Sequence, residues 1–174
     1  MKLLPVLLLC TSIAVTGCVS STGASQGAKP ITPEQAAEMQ YQVLDSINSL
    51  RTAKGLAPVQ LNAQLNAAAA THSRDMAVQN RPWHFGSDGS SPLDRVRRVG
   101  YSGTLLGENI SETYETALET LSDWMAQPDT RAVILDPAAT EVGFAWFQEP
   151  SGKMWWTLVS GTSASIGTPV AQLG

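Results

Sequence analysis

The chain has 174 residues, of which 43% are hydrophobic and 15% charged, and its net charge is −4. This composition is typical of one globular domain and excludes an intrinsically disordered chain. The acidic balance argues against nucleic acid as a partner, because the densest basic cluster comprises only Arg95, Arg97 and Arg98.

Residues 1–17 have the pattern of a secretory signal peptide. Lys2 supplies a positive charge, residues 3–9 form an apolar run, and small residues precede Cys18. The apolar run is too short to span a bilayer as a helix. The stretch AVTGC resembles the bacterial lipobox, in which the cysteine is lipidated and becomes the new N-terminus. An ordinary signal peptide followed by a chance cysteine is the alternative.

Cysteine usage favours the lipoprotein interpretation. Cleavage before Cys18 would remove Cys10 and leave Cys18 without a partner for a disulfide. We therefore expect lipidation at Cys18 to anchor the protein to a bacterial membrane. Val19 in place of an aspartate favours the outer membrane, with the domain facing the periplasm or the cell surface. Residues 18–31, rich in Ser and Gly, should form the lipidated N-terminus and a flexible tether.

The rest of the chain opens with two helical patterns. Thr32-Pro33-Glu34-Gln35 combines an N-cap, a first-turn proline and a capping box, and Gly55 ends this first helix. A second helix is predicted from about Asn62 to Asn80, with His72 on its apolar face. A lone histidine on such a face is more often a hydrogen-bonded core residue than a ligand.

The loop RPWHFGSDGSSP, residues 81–92, displays aromatic and titratable side chains together and is therefore a candidate site. Shorter helical patterns follow it at residues 91–99, 114–126 and 130–135. The helix at 114–126 should bury Ala117, Leu118, Leu121, Trp124 and Met125.

The C-terminal part changes to a period of two. Residues 142–147 and 154–159 alternate around Pro150-Ser151-Gly152, which predicts a β-hairpin, and residues 162–174 should form a flexible tail. Helices first and strands late predict an α+β fold. Adjacent Trp155 and Trp156 must face opposite sides of the sheet. Aromatic side chains could pack the core or line an apolar groove: Trp83, Phe85, Trp124, Trp146, Trp155 and Trp156.

Four motifs occur in a fixed order: WHFGSDGSSPLDRVRRVGY, GENI, LSDWMAQPDTRAVILDPAATEVGFAW and WWTLVSG. In this order they resemble the CAP superfamily of cysteine-rich secretory proteins, antigen five and pathogenesis-related proteins, whose bacterial members are often called SCP-like. The resemblance covers about residues 36–161. It implies a three-layer α-β-α sandwich with a small antiparallel sheet, and we expect the CAP domain to occupy residues 32–161.

The resemblance also implies a cleft in which two histidines and two glutamates can bind a divalent metal such as zinc. His84 and Glu108 match two of these positions, with Glu108 in the GEN motif. Gln127 and Thr130 replace the usual second glutamate and second histidine, and Val133 replaces a usual asparagine. The implied metal site is therefore incomplete.

Further ligands would be needed to complete a zinc site, because structural zinc takes four protein ligands and catalytic zinc three. The candidates are Asp129, His72 and Asp88. The alternative is that His84 and Glu108 form a hydrogen bond or ion pair that fixes the loop to the body of the domain.

A serine hydrolase is a weaker hypothesis. Ser87 or Ser90 could pair with His84, but serines in GSDGSS are ordinary turn residues.

We expect a membrane-anchored CAP-domain lipoprotein that acts as a non-catalytic binding module for an envelope lipid, glycan or protein. One alternative is a divalent-metal-dependent hydrolase that uses His84 and Glu108, with Glu108 as general base. The other is a lipid or sterol carrier with an apolar groove. A divalent metal such as zinc is the only cofactor that the resemblance suggests.

Overall fold

The computed structural model describes residues 28–113 and 115–163. The predicted signal peptide, Cys18 and the tail beyond Ser163 lie outside these residues, so the structure does not bear on them. Within the described residues, no helix combines the length and apolarity needed to cross a bilayer.

The first two helices form as the sequence predicts. Helix α1 spans Pro33–Thr52, and Thr32 and Gln35 complete its capping box. Helix α2 spans Ala63–Gln79. The Asn62 side chain accepts hydrogen bonds at its start, and Asn80 ends it in the left-handed conformation, with φ of 48°.

Three shorter helices follow, α3 (Pro92–Arg98), α4 (Ala117–Ala126) and α5 (Pro128–Ile134). Helix α4 starts three residues later than residue 114, the predicted start, because Thr116 and Glu119 form a capping box that fixes its first turn. The expectation that Leu118 is buried is wrong, since this side chain is 45% exposed.

Four strands form one sheet in the order β1-β3-β4-β2. Their bounds are β1 Gln60–Leu61, β2 Thr104–Thr113, β3 Glu141–Gln148 and β4 Met154–Thr162. The predicted hairpin is confirmed as β3 and β4, although β4 runs through Thr162, one residue beyond the predicted domain end.

The sheet is mixed, not antiparallel as predicted. Strands β2, β3 and β4 are antiparallel to their neighbours, but β1 pairs parallel with β3. A parallel pair requires a long crossover, and here the chain between β1 and β3 contains four helices and β2. This crossover gives β1 its direction.

Helices cover both faces of the sheet, which confirms the three-layer α-β-α arrangement. Phe144, Trp156 and Leu158 face a core shared with α1, α4 and α5. Ala145 and Val159, at alternate positions, face a second core shared with α2 and α3. Trp155 and Trp156 are 0% and 1% exposed, as expected for adjacent strand residues between two helical layers.

Arg51 closes the C-terminal end of α1. Its side chain is 0% exposed, and its guanidinium donates to the carbonyl oxygens of Ala57, Ile134, Asp136 and Ala139. These bonds fasten the end of α1 to the segment that enters β3.

Candidate functional site

Glu108 lies in the middle of β2, opposite Val159 of β4, and its side chain is only 3% exposed. Nη2 of Arg95 lies 2.9 Å from Oε1 and 2.7 Å from Oε2 of this carboxylate. Nη1 of Arg95 donates to the carbonyl of Ser90 at 3.0 Å. A carboxylate can be buried here because a buried guanidinium, 5% exposed, compensates its charge.

His84 reaches the same carboxylate from the loop. Its Nδ1 lies 2.9 Å from Oε1 of Glu108, and the side chain is 51% exposed. Because a carboxylate only accepts, Nδ1 carries the proton, and Nε2 is the ring nitrogen left for another partner. The predicted pairing of His84 with Glu108 is therefore present as a direct hydrogen bond.

His72 of α2 lies behind this pair and is fully buried. Its Nε2 lies 3.0 Å from the carbonyl of Trp83 and 3.7 Å from Oε1 of Glu108. A carbonyl oxygen only accepts, so Nε2 is protonated and Nδ1 carries the lone pair. Burial lowers the pKa of His72, against a smaller opposing effect of Glu108, so the ring is neutral at pH 7. His72 thus holds the loop backbone.

Side chains of α2 also hold the loop. The Asp75 carboxylate accepts the N–H of Ser87 at 2.7 Å and its hydroxyl at 2.6 Å. Gln79 donates to the carbonyl of Phe85 at 3.2 Å and accepts from Nε1 of Trp83 at 2.9 Å. The loop therefore presents the exposed rings of His84 and Phe85 from a fixed backbone.

The structure does not form the Ser–His arrangement considered from the sequence. The hydroxyl of Ser87 donates to Asp75, and Ser90 is 5% exposed with its carbonyl bound to Arg95. Among the described residues, neither serine is hydrogen-bonded to His84, because the turn directs Ser87 toward α2.

Gln127 and Thr130 occupy the positions where the resemblance implies a second glutamate and a second histidine. Thr130 donates its hydroxyl to the carbonyl of Trp124 at 2.6 Å, and its own carbonyl accepts from Asn109 at 2.9 Å. Gln127 joins α4 to α5 and is exposed. Val133 packs over β2 so closely that a Cβ on Gly107 would lie 2.7 Å from its Cγ2.

The other proposed ligands lie elsewhere or are already bonded. Asp129 is exposed in the first turn of α5. Asp88 accepts from Arg98 at 2.5 Å and from the N–H of Ser90 at 2.9 Å. Hydrogen bonds to Ser90 and Arg98 hold the pKa of the exposed Asp88 carboxyl well below its usual range. Neither carboxylate joins Glu108.

These side chains do not fit the metal site that the resemblance implies. Nδ1 of His84 and Oε1 of Glu108 are hydrogen-bonded to each other, and Arg95 also donates to the Glu108 carboxylate. Nε2 of His72, the nitrogen nearest Glu108, is protonated and so has no lone pair for a metal. Throughout residues 28–113 and 115–163, no group of three or more His, Cys, Asp or Glu side chains is arranged to hold a metal ion.

Arg95 was not among the residues that the sequence predicted for the site. It lies in a run of arginines that resembles a solvated helix face, yet Arg95 is buried while Arg97 and Arg98 are exposed. The available signal was Glu108 itself, because a carboxylate between apolar residues needs a cation, and the densest basic cluster of the chain supplies one.

A second candidate site is an apolar groove of about 530 Å³ between α1 and α4. Its apolar walls are Leu50, Leu118, Leu121 and Met125, and its polar rim is Asp45, Ser46, Ser49 and Ser122. The exposure of Leu118 is explained by this groove. A cleft of this size falls within the usual range for small-molecule sites.

The family of the chain follows from its matches to known proteins. Residues 44–160 match the model of the CAP family, described as the cysteine-rich secretory protein family. The chain belongs to this family. The uncharacterized protein YkwD of Bacillus subtilis (strain 168) is 30% identical over 123 residues, which cover 71% of this chain and 47% of YkwD. The chain thus matches about half the length of that relative.

Solved structures show the same fold. An outer surface protein from Borrelia burgdorferi is similar with a TM-score of 0.69 and 15% identity, over 79% of this chain and 99% of that one. An extracellular protein containing a SCP domain from Bacillus anthracis str. Ames has a TM-score of 0.67 and 23% identity, over 78% of this chain and 45% of that one.

Proposed function

We propose that this chain is an extracytoplasmic lipoprotein whose CAP domain is a non-catalytic binding module in a bacterial cell envelope, anchored through Cys18. The signal-peptide pattern and AVTGC support the anchor. Two structural neighbours are described as an outer surface protein and an extracellular protein, which supports the location. The outer membrane remains the expected site of anchoring.

One observation carries the non-catalytic assignment, namely the contact of Arg95 with both oxygens of Glu108. A general base needs an accepting oxygen about 2.6–3.2 Å from the substrate atom whose proton it removes. Here Oε1 also accepts from His84, and the side chain is 3% exposed. Glu108 thus stabilises the site and does not face a substrate.

The binding surface is the loop at residues 81–92. Phe85 is 47% exposed and His84 is half exposed, while Asp75, Gln79 and Arg95 hold the backbone beneath them. A rigid loop loses little conformational entropy on binding. The ligand class remains an envelope lipid, glycan or protein.

The test is quantitative capture of envelope components by the anchored full chain and by a Phe85→Ser variant. Tyr41→Ser is the matched control, because Tyr41 is 62% exposed on α1, away from the loop. We expect the captured ligand to be lost with Phe85→Ser and kept with Tyr41→Ser. Metal-dependent hydrolysis that disappears in Glu108→Gln would instead establish the enzyme.

The groove between α1 and α4 favours a second candidate function, the binding of one acyl chain as in a lipid carrier. Leu50, Leu118, Leu121 and Met125 form the apolar wall of this groove, and its volume of about 530 Å³ lies within the usual range for small-molecule sites. Mass spectrometry of lipid extracted from the purified protein tests this. Co-purified lipid should disappear in Leu118→Arg and persist in Val78→Arg, because Val78 is 76% exposed on α2. Equal lipid in both variants would reject the groove.

A further inference from the structure

A pocket of about 280 Å³ lies between α2, the loop at residues 81–92 and α3. We call it the loop pocket, and it is lined by Thr71, Asp75, Ser87, Asp88, Ser90, Arg95, Arg98 and Val99. It adjoins the exposed part of the loop, because Nε2 of Gln79 donates to the Asp75 carboxylate at 3.0 Å and to the carbonyl of Phe85 at 3.2 Å.

The lining of the loop pocket favours a small polar ligand. Seven of its eight residues carry side chains that form hydrogen bonds, and only Val99 is apolar. An acyl chain in this space would leave these polar groups without partners. The volume lies just below the usual range of 300–1,000 Å³ for small-molecule sites, so the pocket suits one ring-sized unit.

The charges of the lining balance. Arg98 pairs with Asp88 at 2.5 Å, and Arg95 pairs with Glu108 at 2.7 Å. The Asp75 carboxylate accepts hydrogen bonds from Ser87 and from Gln79. A charged ligand of either sign would therefore meet like charge as well as opposite charge in the pocket. A neutral ligand that forms hydrogen bonds avoids this repulsion.

Two carboxylates converge in front of Gly86. A Cβ at this residue would lie 2.7 Å from Oδ1 of Asp88 and 3.3 Å from Oδ2 of Asp75. A side chain at residue 86 would thus fill the space between them. Among the described residues, Oδ1 of Asp75 accepts only from the Ser87 hydroxyl, and Oδ2 of Asp88 only from Arg98. Each oxygen can accept a second hydrogen bond, for example from a hydroxyl.

The two arginines supply donors beside these acceptors. The Arg98 side chain is 59% exposed, and a guanidinium has five N–H groups, of which Asp88 takes one. Arg95 is only 5% exposed, and its Nε is buried without a hydrogen-bond partner in the part of the chain that the structure describes. Buried donors without an acceptor are rare. An acceptor oxygen of a ligand would satisfy this one.

We propose that the loop pocket binds one neutral sugar unit of an envelope glycan. Each sugar hydroxyl both donates and accepts, so adjacent hydroxyls match the paired carboxylate and guanidinium of Asp88 and Arg98. The proposal rests on the proposed function for the loop as binding surface, and it selects the glycan among the three ligand classes named there.

Calorimetric titration of the purified full chain tests the pocket directly. The probes are two neutral trisaccharides, maltotriose and the trimer of N-acetylglucosamine, in a detergent without a sugar head group. We expect saturable binding of at least one trisaccharide. Arg98→Gln should weaken it about tenfold or more, because it removes a charged donor. Asp88→Asn should also weaken it, although asparagine keeps an oxygen for the N–H of Ser90. Arg97→Gln is the matched control and should leave binding within about twofold, because Arg97 is exposed on α3 outside the pocket.

Absence of saturable binding for both trisaccharides would overturn the proposal, as would an equal loss in Arg97→Gln and Arg98→Gln. Binding of inorganic phosphate in place of the trisaccharides would make the pocket an anion site and would also overturn it.

The capture of envelope components separates this proposal from the proposed function. Periodate cleaves adjacent hydroxyls, so periodate treatment of the envelope should abolish capture, whereas protease or solvent extraction should not. Capture that protease or solvent abolishes and periodate spares would overturn the glycan and leave the loop as a binding surface. Capture that Phe85→Ser leaves unchanged would reject the loop surface, and the trisaccharide titration would still decide the pocket.

Discussion

Replacing Arg95 with methionine tests whether the buried ion pair is what holds Glu108 in the domain. Methionine keeps much of the side-chain volume but removes the guanidinium. A carboxylate that is 3% exposed in the wild type then keeps the hydrogen bond from His84 but has no guanidinium to compensate its charge. Breaking a buried ion pair by removing one partner costs about 3–5 kcal/mol. With a typical urea m-value of about 2 kcal/mol per M, the unfolding midpoint should fall by roughly 1.5–2.5 M.

The assay is urea unfolding followed by tryptophan fluorescence, with Arg98→Met as the matched control. Arg98 pairs with Asp88 at a similar distance, but both side chains are more than half exposed, so its replacement should leave the midpoint nearly unchanged. Arg95→Met combined with Glu108→Gln should recover part of the loss, because neither charge is then left unpaired. A midpoint that moves no more for Arg95→Met than for Arg98→Met would refute the reasoning.

Three further predictions concern the rest of the domain. Gly107→Ala should lower the free energy of unfolding by about 1–3 kcal/mol, because the new Cβ would lie 2.7 Å from Cγ2 of Val133, and Val133→Ala should restore it. Gly143→Ala should lower it more, since its Cβ would lie 2.1 Å from the Leu65 backbone. Equal losses for the two variants in urea unfolding would contradict this. Arg51→Met should cost about 3–5 kcal/mol through unpaired carbonyls at the end of α1, and a loss below about 1 kcal/mol would be inconsistent with their burial. The stability of the wild type should fall as pH drops below about 6.5, because the pKa of buried His72 is lowered from 6.5 and the unfolded state takes up the proton first. His72→Gln, which keeps a donor for the Trp83 carbonyl, should flatten this slope between pH 7 and 5, and an unchanged slope would assign it to other groups.

The helices were predictable because their signals are local. Thr32 with Gln35 and Asn62 with Asn80 mark helix ends through side chains that bond to backbone groups a few residues away. Strand β2 could not be predicted in the same way. Gly107, Glu108 and Asn109 are poor strand formers, and the register shift between Leu105 and Gly107 breaks the alternation that would have revealed it.

Only half of the candidate site could be predicted, namely the pair of His84 and Glu108 without Arg95. Resemblance placed His84 beside Glu108, and the structure has them 2.9 Å apart. Arg95 lies beneath them because α3 packs against β2. This is a tertiary contact, and the sequence pattern revealed neither the contact nor strand β2. Which side of α3 faces inward cannot be read from seven residues with three arginines.

The proposed non-catalytic function depends most on the claim that Glu108 is bound by Arg95 and is not free to hold a metal. A zinc titration of the purified full chain by calorimetry tests this directly, with His84→Ala and Glu108→Gln as controls. We expect no saturable heat for the wild type or for either variant. Saturable, roughly micromolar binding that both variants abolish would contradict this claim and favour the alternative, a metal-dependent hydrolase.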